Sequence, residues 1–372
     1  MDSHWTKRIA KTSYRFMRVD RETGNETGAI PFLKGGTITR NNDVRVLETA
    51  EVECTGTFDL GPDFVRIYLE AEWADGYTET VVLGTFLPVA PSREVYAGYS
   101  TSTVKMYGRL QELLDDKFAT PVVLKKGTNA VKAAADVCRQ QGLTVIADPS
   151  DFTITNPRTY GFGVEQNKDN SNDSNNDDSK LDMVNDLLSL AGFRSAKTDV
   201  MGNVIFRKYI DPMSKGASWD FTEGINALFE STVNEEHDIT DAANHTVVRY
   251  GSEDKVIIGE AYDTDPNSPL STVNRGRVIT RGYTYNDLPD GKTDAEKQAN
   301  ANKTAASKLK TAQSTILRAT ISHPYVPVSV NDTVNFSYPS GGINGLFEVR
   351  TQKLSLTGGC PISAELRHFV RR

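Results

Sequence analysis

The chain has 372 residues, more than one hydrophobic core ordinarily organises, so two or more domains are expected. Its hydrophobic content of 38% is low but globular. Its formal charge of −7 runs against a protein built to grip nucleic acid, because phosphate binding needs clustered Lys and Arg.

Residues 1–110 read as antiparallel β. In "VRIYLEAEWADGYTETVVLGTF", Ile67, Leu69, Ala71 and Trp73 alternate with Arg66, Tyr68, Glu70 and Glu72, and Asp75-Gly76 marks a tight turn before Val81, Leu83 and Thr85 resume the alternation. "VRVLETAEVECTGTF" and "GYSTSTVKMYG" carry further alternating sets, which predicts a small sandwich or barrel.

The character changes at "GRLQELLDDKF", where Leu110, Leu113, Leu114 and Phe118 share a helical face. A helix is expected from after Asn129 to Gln141, stopped by Gly142; Val131, Ala134 and Cys138 lie on one side of it. Another opens with a Ser179/Asp182 capping box, carries Leu181, Val184, Leu188 and Ala191 as its stripe, ends at Gly192, and leads to strands that turn at "DVMGN". Residues 111–215 are therefore an α+β insert. Within it, 165–180 ("EQNKDNSNDSNNDDSK") has the alternate spacing of a calcium loop at Asp169, Ser171 and Asp173. Ser174 and Lys180 stand where an EF-hand needs Gly and Glu, so a solvated loop is the favoured reading.

After the linker "DPMSKGASWDF", strands return in "HTVVRYG", "KVIIGEAY" and "GRVITRGYTY". A long Ala-rich helix over 293–313 follows, with a Thr293/Glu296 capping box and Ala295, Ala299, Ala306, Leu309 and Ala312 along one side. The remainder alternates again as strand. The division expected is 1–110 for a first β-barrel, 111–215 for the insert, 216–340 for a second β-barrel with its helix, and 341–372 for a closing β segment.

The chemistry-bearing residues give no constellation. Cys54, Cys138 and Cys360 are scattered, show no C-x-x-C spacing, and read as small buried hydrophobes rather than a disulfide framework or a zinc site. Five histidines are present. His4 and His368 lie near the ends without a motif. His237 sits among Glu235, Glu236, Asp238 and Asp241 with His245 eight residues on, yet this lacks the H-E-x-x-H zinc spacing and reads as a solvated acidic loop. His323, in "ISHPYVPVSVNDTVNF", stands before Pro324, which disfavours helix; Pro327 suits an edge or strand start, and Asn331-Asp332 makes a turn. No G-x-S-x-G, P-loop or dinucleotide fingerprint occurs in a strand-to-helix context, and no carboxylate pair is singled out by a motif. The charged start "MDSHWTKRIAKTSYRF" shows no secretory apolar region and no apolar run reaches bilayer-spanning length, so a soluble chain made in a cytoplasm is expected. Neither a catalytic residue, nor a cofactor, nor a metal is expected.

The order of the pieces carries a resemblance. A G-x-F strand (Gly84, Phe86) precedes "VKMYGRLQELL"; then come "GTNAVKAAADVCRQQGL", "LLSLAGFRSAKTDVMGNVIFRKY", "DITDAANHTVVRYG" with Asn244, the Ala-rich helix, "ATISHPYVPVSVNDTVNFSYP" and "GLFEVRTQKLSLTGGCPISAELRHF". Over most of its length the chain resembles the baseplate hub, or tail-tip hub, family of long-tailed phages and related contractile particles. The resemblance implies two similar antiparallel β-barrel domains with an α+β insert, mainly β, which arrange in a homotrimer as a pseudo-hexameric ring. Such a ring adapts a hexameric tail tube to a trimeric tip and leaves a channel for DNA; three chains would carry three times −7, or −21, and repel phosphate.

The partners implied are the tail tube protein, a distal tail ring protein, a tip or spike protein and the tape measure protein, without specific nucleic-acid binding or stable membrane insertion. The place implied is the virion tail tip, after assembly in the host cytoplasm. Many hub proteins continue into a lysin or receptor-binding region; here the sequence stops at "RHFVRR", so cell-wall hydrolysis is expected from another protein. The rival reading is a tail protein that binds or hydrolyses host glycans; a third, a tube or distal-tail ring protein, predicts a hexamer.

Overall fold

The computed structural model describes residues 4–369 apart from 56–60, 90–91, 97–98, 162–178, 211–213, 238–241, 252–254, 286–287, 290, 292 and 314–315. The fold is mainly β, with few helices. Two compact units divide it: one takes Met1–Asn167, Asn175–Val233 and Thr320–Leu366, and the other is built chiefly from Asn234–Ala319.

Eight strands come first: β1 (Ile9–Val19), β2 (Glu26–Ala29), β3 (Leu33–Asn41), β4 (Glu48–Cys54), β5 (Phe64–Trp73), β6 (Thr78–Pro88), β7 (Ser92–Tyr96) and β8 (Tyr99–Gly108). Alternation decides which face is buried. Ile67, Leu69, Ala71 and Trp73 of β5 are all within the core, and Gly76, at φ +83°, makes the turn into β6 that a side chain would strain. Arg66 breaks the expected pattern: it is buried among the inward residues, where its Nε donates to Thr85 Oγ1 at 3.0 Å and its Nη1 meets Glu26 at 3.0 Å. The charge is tolerated inside because both partners satisfy it.

The insert follows as α1 (Gln111–Asp115), β9 (Val122–Leu124), α2 (Ala130–Gln140), β10 (Val145–Ala147), β11 (Arg158–Tyr160), α3 (Lys180–Leu190), β12 (Lys197–Thr198) and β13 (Val204–Phe206). Asn129 caps α2 by accepting from Lys132 N, and Ser179 and Asp182 form the capping box of α3. Gly142 and Gly192, both at φ +73°, end these helices in the left-handed turn glycine favours. Ala134 and Cys138 of α2 meet Leu181, Val184 and Leu188 of α3 in one core with Leu113 and Phe206. The calcium-like loop of 165–180 lies outside the described residues up to 178; Ser179 and Lys180 belong to the start of α3.

The chain continues with β14 (Trp219–Thr222), β15 (Asn234–His237), β16 (His245–Tyr250), β17 (Ile257–Tyr262), α4 (Thr272–Arg275), β18 (Thr280–Tyr285), α5 (Asp294–Gln313), β19 (Ile316–His323), β20 (Thr333–Tyr338), β21 (Ile343–Ser355) and β22 (Ile362–Phe369). In the second unit β16 pairs antiparallel with β17 and parallel with β18. Helix α5 packs so closely on this sheet that a Cβ on Gly259 would lie 2.3 Å from the backbone of Ala301, and Thr246 Oγ1 donates to Ala305 O at 2.7 Å. The buried stripe of α5 is Ala301, Ala305 and Leu309; Ala295, Ala299 and Ala306, expected on that side, are exposed. With so many alanines the helix offers more than one small-residue face, and the close approach at Gly259 selects among them.

The large sheet runs β19-β22-β21-β3-β4-β8-β6-β5-β1-β2, with β7 on β8, β20 on β21, and β15 hydrogen-bonded to β19. Pairing is antiparallel between β1 and β5, β3 and β4, and β21 and β3. Two pairs depart from the antiparallel barrels expected, β14 with β20 and β16 with β18, which are parallel, and in the insert β10 and β13 are parallel too. Each partner is reached only after a long excursion of chain, which is what parallel pairing requires. No helix among the described residues is long and apolar enough to cross a membrane.

Candidate functional site

The histidines lie apart. His4 stacks on Tyr77 with ring centroids 4.0 Å apart and meets the Asp75 carboxylate at 3.3 Å. His245 is buried at the start of β16, stacked on Tyr262 at 3.8 Å, with Nδ1 2.8 Å from Thr280 Oγ1. His368 is half-buried in β22. His237 ends β15 behind Glu235 and Glu236, which are exposed; Asp238 and Asp241 lie outside the described residues.

His323 closes β19, 3% exposed, with its ring 4.9 Å from that of Phe221 and Nδ1–H donating to the Pro324 carbonyl at 2.7 Å. Burial pushes its pKa down to about 4, so the ring is neutral at physiological pH. The three thiols are buried and unbridged, and burial raises Cys138 to about 12 and Cys360 to about 11, which keeps both protonated and inert. Among the described residues, no three His, Cys, Asp or Glu side chains are grouped to hold a metal.

What the first unit does present is a cleft of about 1300 Å³. Its lining includes every residue from Trp5 to Thr12. Of this run only Ile9 to Thr12 belong to β1, which pairs with β5 along its other edge; Trp5 and Thr6 lie in a short 3-10 turn before it. On the edge away from β5, β1 has a strand partner, β2, only from Met17 to Val19. The remaining walls come from Asp220 and Thr222, alternate residues of β14, from the run Ile225 to Glu230, and from the ends of β19 and the turn before β22.

Trp5 and Tyr325 meet edge to face at 4.9 Å, and Trp5 meets Trp73 at 4.8 Å. These rings are below 9% exposed, so they form a floor rather than the open stacking platform a sugar would use. Ile225 is fully exposed at the rim.

A second feature is a set of buried charges that tie the insert to the sheet. Arg194, after α3, contacts Glu348 of β21 at 2.6 Å and Asn331 in the β19–β20 connection, and its guanidinium lies over the Tyr209 ring. Glu48 of β4 accepts from Thr198 Oγ1 of β12 at 3.2 Å and faces Arg40 Nε at 3.3 Å. Burial pushes the Glu48 carboxyl up, against the pull of Arg40, and pushes the Lys197 ammonium down. Thr85 Oγ1 donates to Val200 O at 2.9 Å, which anchors the turn of the insert on β6. Sequence reasoning missed these residues, because a charged residue at an inward strand position looks the same as one at an outward position until its partner is known.

The outward face of the sheet is polar. Thr37, Thr39, Thr49, Glu51, Lys105, Tyr107 and Lys353 surround a shallow depression of about 290 Å³, with Lys105 and Glu51 paired at 3.5 Å. Glu53 on β4 and Glu70 and Glu72 on β5 share the outward positions.

The fold is that of phage tail proteins. The tail protein of Neisseria meningitidis MC58 superposes with a TM-score of 0.64 at 12% identity, over 96% of this chain and 97% of that one. The 43 kDa tail protein of prophage MuSo2 from Shewanella oneidensis gives 0.60 at 12% identity, over 96% and 98%. A chain of the Francisella PdpA–VgrG complex in its half-lidded form gives 0.53 at 8% identity; it is matched over 57% of its length by 96% of this chain. At these identities the likeness is one of fold. No protein-family model matches the sequence, and no curated protein matches it.

Proposed function

We propose that this chain is a structural component of a phage or phage-like tail tip, a baseplate hub that joins the tail tube to the tip. The observation that carries the reading is the end-to-end correspondence of fold with two tail proteins, in which neither chain leaves a domain unmatched. On this reading the strands of residues 1–110 form one tube-like β-barrel, and β14 with β19 to β22 forms a second, similar one, with 111–215 and 234–319 as excursions from them. Three chains then present six similar domains to a hexameric tube and a threefold face to a tip or spike. Tube, distal ring, tip and tape measure proteins are the partners, and the virion tail tip, assembled in the host cytoplasm, is the place.

The acidic balance of the chain, −7, suits a channel through which DNA slides, since like charge keeps phosphate from sticking. The role needs no catalytic group. Against the glycan reading stand the buried, edge-packed rings of the cleft floor. Light scattering of the purified chain is the test: a mass near three times 41.0 kDa fits the hub, six chains fits a tube or distal ring, and a monomer that binds or cleaves host glycans overturns the reading.

A further inference from the structure

We propose that the cleft of the first unit holds an extended segment of another tail protein, one that carries acidic and basic side chains together and lies along the open edge of β1. This rests on the hub reading, which supplies the neighbours, and names how one of them is gripped.

Size and backbone point to a polypeptide. At about 1300 Å³ the cleft exceeds the roughly 300–1,000 Å³ of pockets that take small molecules. Its walls are runs of chain: Lys7 to Thr12 on one side, and Asp220 and Thr222 of β14 with Ile225 to Glu230 on the other. All of them belong to the first unit. From Ile9 to Thr12 the backbone of β1 pairs with β5 and, among the described residues, makes no hydrogen bond on its other edge. Such an edge takes an extended segment by main-chain hydrogen bonds, and side chains then select which segment.

Charge states what the segment carries. Lys7 is paired with Asp75 at 3.5 Å. Arg8 and Lys11 on the same wall, and Asp220 and Glu230 on the opposite one, are exposed, and none of these four makes an ion pair among the described residues. A purely acidic segment is repelled by Asp220 and Glu230, and a purely basic one by Arg8 and Lys11. A segment with both signs finds a partner on each wall, and the two walls together reject the single-sign alternatives.

Two further groups suit the same occupant. Ile225 is fully exposed at the rim, an apolar surface to be covered. His323 lines the cleft at 3% exposure, and because its Nδ1–H donates to Pro324 O, its Nε2 is left as an acceptor for an N–H of the segment.

The experiment uses the full chain. Labelled overlapping peptides that tile the tube, distal ring, tip and tape measure proteins encoded with it are titrated by fluorescence anisotropy. Far-ultraviolet dichroism shows that each variant is folded, and its solution mass is measured alongside. The inference predicts that a peptide bearing both charge signs binds, and that Arg8→Glu with Lys11→Glu, or Asp220→Lys with Glu230→Lys, weakens it at least about tenfold. Exchanging the acids of that peptide for lysines should restore binding to the Arg8→Glu, Lys11→Glu variant, and the amides of Ile9 to Thr12 should exchange more slowly in the complex. No bound peptide, binding that neither reversal changes, or unaltered exchange at those amides overturns the segment and leaves the hub reading, judged by mass, standing. A reversal that dissolves a wild-type trimer also overturns it, and makes the cleft a contact between copies. A wild type that stays at 41.0 kDa yet binds a tail peptide in the predicted way keeps the segment and removes the self-assembled ring.

Discussion

Acid should weaken the first unit through His323, and the effect can be isolated. The ring is 3% exposed, and burial holds its pKa near 4 against an ordinary value of 6.5. A depressed histidine pKa means that the unfolded chain binds the proton first, so stability is complete above pH 6.5, falls as the pH drops through 6.5, and levels off below about 4. The full shift corresponds to about 3 kcal/mol, of which about 2 kcal/mol is lost between pH 7 and pH 4.5.

His323→Phe keeps a ring against Phe221 and removes the titration; the hydrogen bond to Pro324 is lost at every pH, at a cost of about 1 kcal/mol that cancels in the comparison. Urea unfolding of both chains at the two pH values gives the answer, because the carboxylates contribute alike to both. The wild type should lose about 2 kcal/mol more than the variant on acidification. Equal losses would refute the assignment of a buried, neutral imidazole.

Gly259→Ala should push α5 off the sheet of the second unit, since the new methyl would sit 2.3 Å from Ala301 backbone; a cost of about 1–3 kcal/mol is expected, seen as a lower Tm and faster amide exchange along α5. Arg194→Met should cost about 3 kcal/mol by leaving Glu348 buried beside only the more distant Arg350, at 3.6 Å; adding Glu348→Gln should recover part of the loss, and strict additivity of the two changes in urea unfolding would show that the pair does not act together. Ser179→Ala should cost about 1 kcal/mol by removing the cap of α3, measured as a lower urea midpoint at unchanged m-value.

Local signals were legible where a residue type has one physical use. The Asp75-Gly76 hairpin, the Asn129 and Ser179 caps, the glycines after α2 and α3 and the Asn331 turn all lie where the sequence places them, because each answers a short-range need of the backbone. The face of α5 was not legible: alanine fits several faces, and the choice is made by Gly259 across the sheet. Parallel pairing of β14 with β20 and of β16 with β18 was also hidden, since alternation reports which face is buried and not which neighbour a strand finds. The cleft beside β1 was invisible for a related reason. An unpaired edge is a property of the whole sheet path, while Lys7, Arg8 and Lys11 read in sequence only as part of a charged start.

The central claim, a hub that joins tube to tip, is tested most directly by a cryo-EM reconstruction of tails that carry this chain. The account predicts three copies in a threefold ring at the distal end of the tube, with an open axial channel. Six copies in one ring, copies repeated along the tube, or density only on peripheral fibres would contradict it.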